Sequence, residues 1–154
     1  MKIRIIQVGK EKDEWIREGL AEYLKRLGKF CEVELVTLKD VAASKSFSIG
    51  RSMEEEGKAI LSTLGDEFVV ALSEDGQEMR SVDFAKFMGQ LKNDGARVSF
   101  VIGGPYGLSK AVKERADKVL SFSKMTFTHQ MVRVILLEQL YRAFCIVVGK
   151  DYHH

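Results

Sequence analysis

Arg97-Val98-Ser99-Phe100-Val101-Ile102-Gly103-Gly104-Pro105-Tyr106-Gly107-Leu108-Ser109 is the stretch whose reading decides the fold. From Val98 to Ile102 the side chains are mainly β-branched or aromatic, as in a buried strand. Gly103 to Gly107 is a glycine-rich turn, and Ser109 stands where a helix N-cap is expected. A strand that feeds such a turn and then a helix is how α/β proteins hold ligands. Small residues let backbone N–H groups approach the bound group at the carboxyl end of the sheet. The letters match neither G-x-G-x-x-G nor G-x-x-x-x-G-K-[ST], so both common nucleotide fingerprints are absent. Taken alone, the turn is equally well read as a plain strand-to-helix connection.

Outward from this stretch, strand-like and helix-like periods alternate to both ends of the chain, the pattern of an α/β domain with a mostly parallel sheet. A strand is expected at Lys2 to Val8, closed by Gly9. A helix follows from about Asp13 to Leu27, with Trp15, Leu20, Tyr23, Leu24 and Leu27 toward one side and Gly28 as its stop. Cys31 to Leu38 reads as a strand and Arg51 to Leu64 as a helix. Asp40 to Gly50 between them is the longest loop candidate and the expected mobile segment. Glu67 to Leu72 reads as a buried strand ending in a turn at Glu74-Asp75-Gly76, and Ser81 as the cap of the next helix, which ends near Lys92. After the glycine turn come a short helix to about Asp117, a strand from Lys118 to Phe122 and a helix from about Gln130 to Val148. That last helix is apolar on nearly every face, so it must be covered on more than one side, and a second subunit would do it.

The 154 residues, 45% hydrophobic and 30% charged, suit one domain spanning 1–154 without linker or repeat. Cys31 and Cys145 sit in apolar runs without zinc spacing, so buried reduced thiols are expected and no metal site is. Lys2 and Arg4 break any apolar leader, and Arg133, Glu138, Gln139 and Arg142 interrupt the last helix. Cytoplasmic residence without a membrane span follows. A formal net charge of +2 gives no general grip on nucleic acid, so RNA binding would need local clustering of positive groups or two subunits pooling them.

Three strand ends carry small or polar groups: Leu72-Ser73, Ile102-Gly103-Gly104 and Phe122-Ser123-Lys124-Met125-Thr126-Phe127. Ligands in open parallel sheets sit outside such ends, so the three could converge on one pocket. Glu138 and Arg142, four apart on a helix, face the same way and can pair, either as a solvated salt bridge or as a pocket wall. His129 could be a simple polar residue at a helix start, and the Tyr152-His153 tail an unremarkable terminus.

Taken together, several segments make the whole chain resemble the ribosomal RNA large-subunit methyltransferase H family of SPOUT methyltransferases. They are Lys2 to Lys10, Glu22-Tyr23-Leu24-Lys25-Arg26, Ile102 to Ser109, His129-x-x-Val132-Arg133-Val134, Glu138 to Ala143 and Tyr152-His153. The resemblance implies an α/β single-domain SPOUT fold with a C-terminal deep trefoil knot, an exception to the unknotted rule, and a homodimer. It also implies methylation at N3 of a pseudouridine in 23S rRNA of assembled ribosomes, with S-adenosylmethionine as donor and no metal. Carried over by position, Leu72, Gly103, Gly104 and the segment Phe122, Ser123, Lys124, Met125, Thr126 and Phe127 should hold the donor. His129, Glu138, Arg142, Tyr152 and His153 should lie near the methyl-accepting base, with the tail contributed by the other subunit. Three residues depart from the family's common letters: Gln130, where proline is frequent, Tyr106, where an acidic residue often stands, and Asp151, which replaces a proline before the tail. Two rivals remain from the residues alone: a non-catalytic RNA- or ribosome-binding α/β module, and a flavodoxin-like or Rossmann-like nucleotide enzyme.

Overall fold

Alternating apolar side chains on each strand need cover on both sides, and that need sets the layering of the protein. A computed structural model describes residues 1–41 and 47–152. Its elements are β1 (Lys2–Val8), α1 (Glu14–Leu27), β2 (Glu32–Leu38), α2 (Ile49–Thr63), β3 (Phe68–Glu78), α3 (Ser81–Asn93), β4 (Val98–Ile102), α4 (Lys110–Arg115), β5 (Lys118–Ser121) and α5 (His129–Val147). The five strands are all parallel, in the order β2-β1-β4-β3-β5. Ile3, Ile5, Val70, Leu72, Val98, Phe100 and Ile102 pack into one core with α1, α3 and α5. Ile6, Val8, Val69, Ala71 and Val101 pack into a second with Ile60 of α2 and Val112 of α4. Strands buried on both faces read as near-continuous apolar runs, which is why β3 and β4 were conspicuous in the sequence.

Three local expectations are corrected, and Ser109 holds its expected place at the N-cap of α4 without the capping bond. On α1 the buried stripe is Ile16, Leu20 and Leu27, with Tyr23 and Leu24 beside it, while Trp15 is 55% exposed. Trp15 lies one residue before the stripe and so points about 100° away from it. The segment Glu74-Asp75-Gly76 does not end β3: Leu120 of β5 pairs with Leu72 and again with Gln77, so Ser73 to Gly76 form a bulge inside a longer strand. Ser81 does not cap α3. It is the first helical residue after Arg80, and its hydroxyl donates to Gln139 Oε1 at 2.8 Å, tying α3 to α5.

The apolar α5 finds most of its cover within its own chain, between α1 and α3 and over the sheet. Leu136, Leu137, Leu140, Ala143, Phe144 and Cys145 are fully buried there. Gly19 of α1 faces Val134 of α5, where a Cβ would stand in ordinary contact at 3.4 Å. Both cysteines are buried, and burial pushes the Cys31 thiol up to about 11. No helix among the described residues is long and apolar enough to cross a membrane. Residues 42–46, the centre of the expected Asp40 to Gly50 loop, lie outside the described residues.

Candidate active site

The order β4-β3-β5 sets side by side the three strand ends singled out in the sequence. They enclose a cavity of about 320 Å³ lined by Leu72, Gly103, Gly104, Phe122, Ser123, Met125, Thr126 and Phe127. Lys124 belongs to the same segment, but its side chain is exposed and does not line the cavity. His129 and Val132, from the start of α5, close one side.

The glycine turn is built for close approach. Gly107 N–H donates to the Gly104 carbonyl at 3.0 Å, with Pro105 and Tyr106 at the corner, and Gly107 has φ +86°, a conformation that favours glycine. A Cβ on Gly103 would lie 2.5 Å from the Gly107 carbonyl oxygen, so only a bare backbone fits there. Behind the turn, Glu56 of α2 is buried; its Oε1 accepts the Val41 N–H at 3.0 Å, and its Oε2 has no hydrogen-bond partner among the described residues. Burial pushes the Glu56 carboxyl above its ordinary range, against the opposing pull of the Val41 N–H. A Cβ on Gly104 would meet Glu56 Oε2 at 2.8 Å, so the carboxyl group bears directly on the turn.

The β3 bulge forms the opposite rim. Gly76 returns the chain onto β5 so tightly that a Cβ would stand 2.7 Å from the Leu120 carbonyl carbon. Lys113 of α4 holds Asp75 Oδ2 at 2.8 Å, and the Thr126 hydroxyl donates to Glu74 Oε2 at 2.6 Å. Lys113 first, then the Ser73 hydroxyl, keep the Asp75 carboxyl below its ordinary range. Met53, Glu74, Asp75, Tyr106 and Lys113 are wall residues that the sequence reading missed. Glu74 and Asp75 were read as a turn but not as a wall; Met53 reaches the cavity from α2, which packs on the other face of the sheet.

Under the first turns of α5 lies a buried cation. Arg133 Nη2 donates to the Val8 carbonyl at 2.5 Å and Nη1 to Glu11 Oε1 at 3.2 Å, an oxygen that Gln7 also reaches. Gln130, where the resemblance expected proline, is buried; it accepts from Lys12 N–H at 3.2 Å and donates to the Lys10 carbonyl at 3.4 Å. These bonds pin the segment after β1 to α5. Burial first, then the Arg133 and Lys12 charges, hold His129 below its ordinary pKa, which favours neutral imidazole beside the cavity.

The remaining expected site residues gather elsewhere. Arg142 Nη2 donates to Glu138 Oε1 at 2.7 Å and its guanidinium lies 4.8 Å over the Tyr152 ring. Tyr152 meets Tyr141 edge-on at 4.7 Å, and its hydroxyl donates to Glu138 Oε1 at 3.4 Å. The Tyr152 phenol is pushed up to about 12, by burial and then by hydrogen bonding with Tyr23. At 1.5 Å per residue, Arg142 is about 20 Å along α5 from His129, so this cluster lies further along the helix than the cavity. His153 lies outside the described residues.

A family model described as predicted SPOUT methyltransferase matches residues 1–153. The chain is 45% identical to a Ribosomal RNA large subunit methyltransferase H of Limosilactobacillus reuteri, with 99% of each chain covered. It is also 45% identical to a protein of the same name from Trichlorobacter lovleyi, with 100% of each covered. Among solved structures, it resembles the tRNA (m1G37) methyltransferase of Aquifex aeolicus at a TM-score of 0.59 and 13% identity, covering 100% of this chain and 75% of that one. That likeness is one of fold.

Proposed function

The chain belongs to the SPOUT methyltransferase family, and from that premise we propose that it methylates N3 of a pseudouridine in large-subunit ribosomal RNA. S-adenosylmethionine is the donor, the assembled ribosome in the cytoplasm the substrate, and a homodimer the working unit. Supporting the substrate class are full-length relatives named for large-subunit rRNA methylation. The observation that carries the reading is the cavity at the carboxyl ends of β4, β3 and β5, of small-molecule size and floored by a turn that has no room for a Cβ at Gly103.

S-adenosylmethionine brings a methyl group already activated by its sulfonium charge. Gly103, Gly104, Leu72 and the Phe122 to Phe127 segment hold it, and the trefoil knot implied by the family would form around that cradle. On the wall, Lys113 balances Asp75, which leaves the Glu74 carboxylate to face a cationic ligand. The chain's remaining task is to position the base, an effect worth about 7–11 kcal/mol in well-oriented reactions. Arg142, held by Glu138, donates to a base carbonyl as negative charge develops there. Tyr152 orients the ring, and His153 accepts the N3 proton.

Two chains complete such a site where one cannot. The half-buried Ile135, Glu138 and Arg142 are spaced as one stripe on α5. An antiparallel second α5 crossing near Ile135 sets His129 level with Arg142 of the partner subunit. Incubation with label on the donor methyl group, offered intact ribosomes, naked rRNA and no RNA, tests this: rRNA of intact ribosomes should take the label. Label that stays on the protein or a small molecule contradicts it.

A further inference from the structure

The stretch Glu22 to Arg26 resembles the family yet touches neither the cavity nor the reacting base in the account above. On α1, Tyr23 and Arg26 share a face, and Glu22 Oε1 holds Arg26 Nε at 2.7 Å. The Arg26 guanidinium lies 5.4 Å from the Tyr23 ring and 5.7 Å from that of Tyr141, which in turn meets Tyr152 edge-on. Chain ends ordinarily fray. Here Tyr152 is gripped by α5 on its edge, ring face and hydroxyl, and Arg142 Nη1 also donates to its carbonyl at 3.5 Å. Tyr152 is thereby held against α5, and α1 braces it from behind.

We propose that Tyr23 and Arg26 are positioning residues for methyl transfer: they brace Tyr152 and so hold its ring where it orients the base at the partner subunit's cavity. The proposal rests on the two-chain site above. A planar guanidinium can lie against both tyrosine rings, and a lysine ammonium cannot reproduce that contact. Since the brace is remote from the cavity of its own chain, donor binding should not depend on it.

Differently tagged chains co-expressed as mixed dimers test this by single-turnover methyl transfer to ribosomes, beside donor affinity and melting temperature. Tyr23→Phe and Arg26→Ala homodimers should lose roughly ten- to hundredfold in rate, the scale of a misplacement of about 1 Å. Donor affinity should hold within about twofold, and Arg26→Lys should restore only part of the rate. Paired with a Ser123→Trp chain, whose own cavity is filled, an Arg26→Ala chain should regain up to about half the wild-type rate, because the intact tail then serves the intact cavity. A control pair, Tyr152→Ala with Ser123→Trp, should recover equally. If the control recovers and the Arg26→Ala pair does not, Arg26 acts elsewhere and the proposal falls while the two-chain site stands. If neither recovers, the two-chain site itself is wrong. Wild-type rates in the homodimers, or loss of donor binding, also overturn the proposal.

Discussion

Gly103 occupies a place where a methyl group would collide with the backbone of its own turn, at 2.5 Å from the Gly107 carbonyl oxygen. Gly103→Ala is therefore expected to weaken S-adenosylmethionine by at least about tenfold, or about 1.4 kcal/mol, as read by calorimetry. The carboxyl group behind the turn gives a pH prediction. Burial raises the Glu56 pKa above its ordinary 4.5, so the native state holds that proton more tightly than the unfolded chain does. Its stabilising contribution is complete below pH 4.5 and is lost as pH rises through the raised value. Glu56→Gln should accordingly gain melting temperature relative to wild type as pH increases from 4 to about 7; a constant difference across that range would contradict the assignment. The turn itself was legible from its letters and its place after a strand. Glu56 was not, because nothing in Glu54-Glu55-Glu56 distinguishes the one glutamate of the three that the helix turns inward.

At the scale of elements, strands and helices were legible wherever burial imposed a long apolar run bounded by turn residues, as on β4 and α5. They were misread where a tertiary contact overrode the local signal. The Glu74-Asp75-Gly76 turn became a bulge because Gly76 lets β3 return to β5, a pairing invisible within the segment itself. Ser81 forgoes capping for a bond to Gln139, a residue on another helix. The charge within α5 is equally a matter of packing: Arg133 is wholly buried, and its counter-charge, Glu11, comes from the segment after β1. Arg133→Ala leaves that carboxylate and the Val8 carbonyl without their partner. A loss of about 3–5 kcal/mol in denaturant-measured stability is expected, the cost of breaking a buried pair. Glu11→Gln, which leaves the cation buried with a neutral partner, should cost less than Arg133→Ala but still lower stability. Equal stability in both variants would mean the pair is solvated.

At the scale of the whole molecule, the cavity borders the start of α5 and the Glu138, Arg142 and Tyr152 cluster lies further along it, with Arg142 about 20 Å from His129 by helix rise. The resemblance placed these residues in one site with the tail from another subunit, and the run of α5, which keeps Arg142 away from His129 within one chain, is what supports that proposal. Ile135→Lys, a charge on the half-buried stripe of α5, is expected to turn dimer into monomer by sedimentation and to abolish methyl transfer. A monomer that still methylates at the wild-type rate would contradict the two-chain site. The most direct test of the central claim is to react ribosomes with S-adenosylmethionine carrying an isotopic methyl label and analyse the nucleosides of the digested 23S rRNA by mass spectrometry. The label should appear in a single nucleoside, pseudouridine methylated at N3. Label on another base, on another atom of pseudouridine, or on ribosomal protein would contradict it.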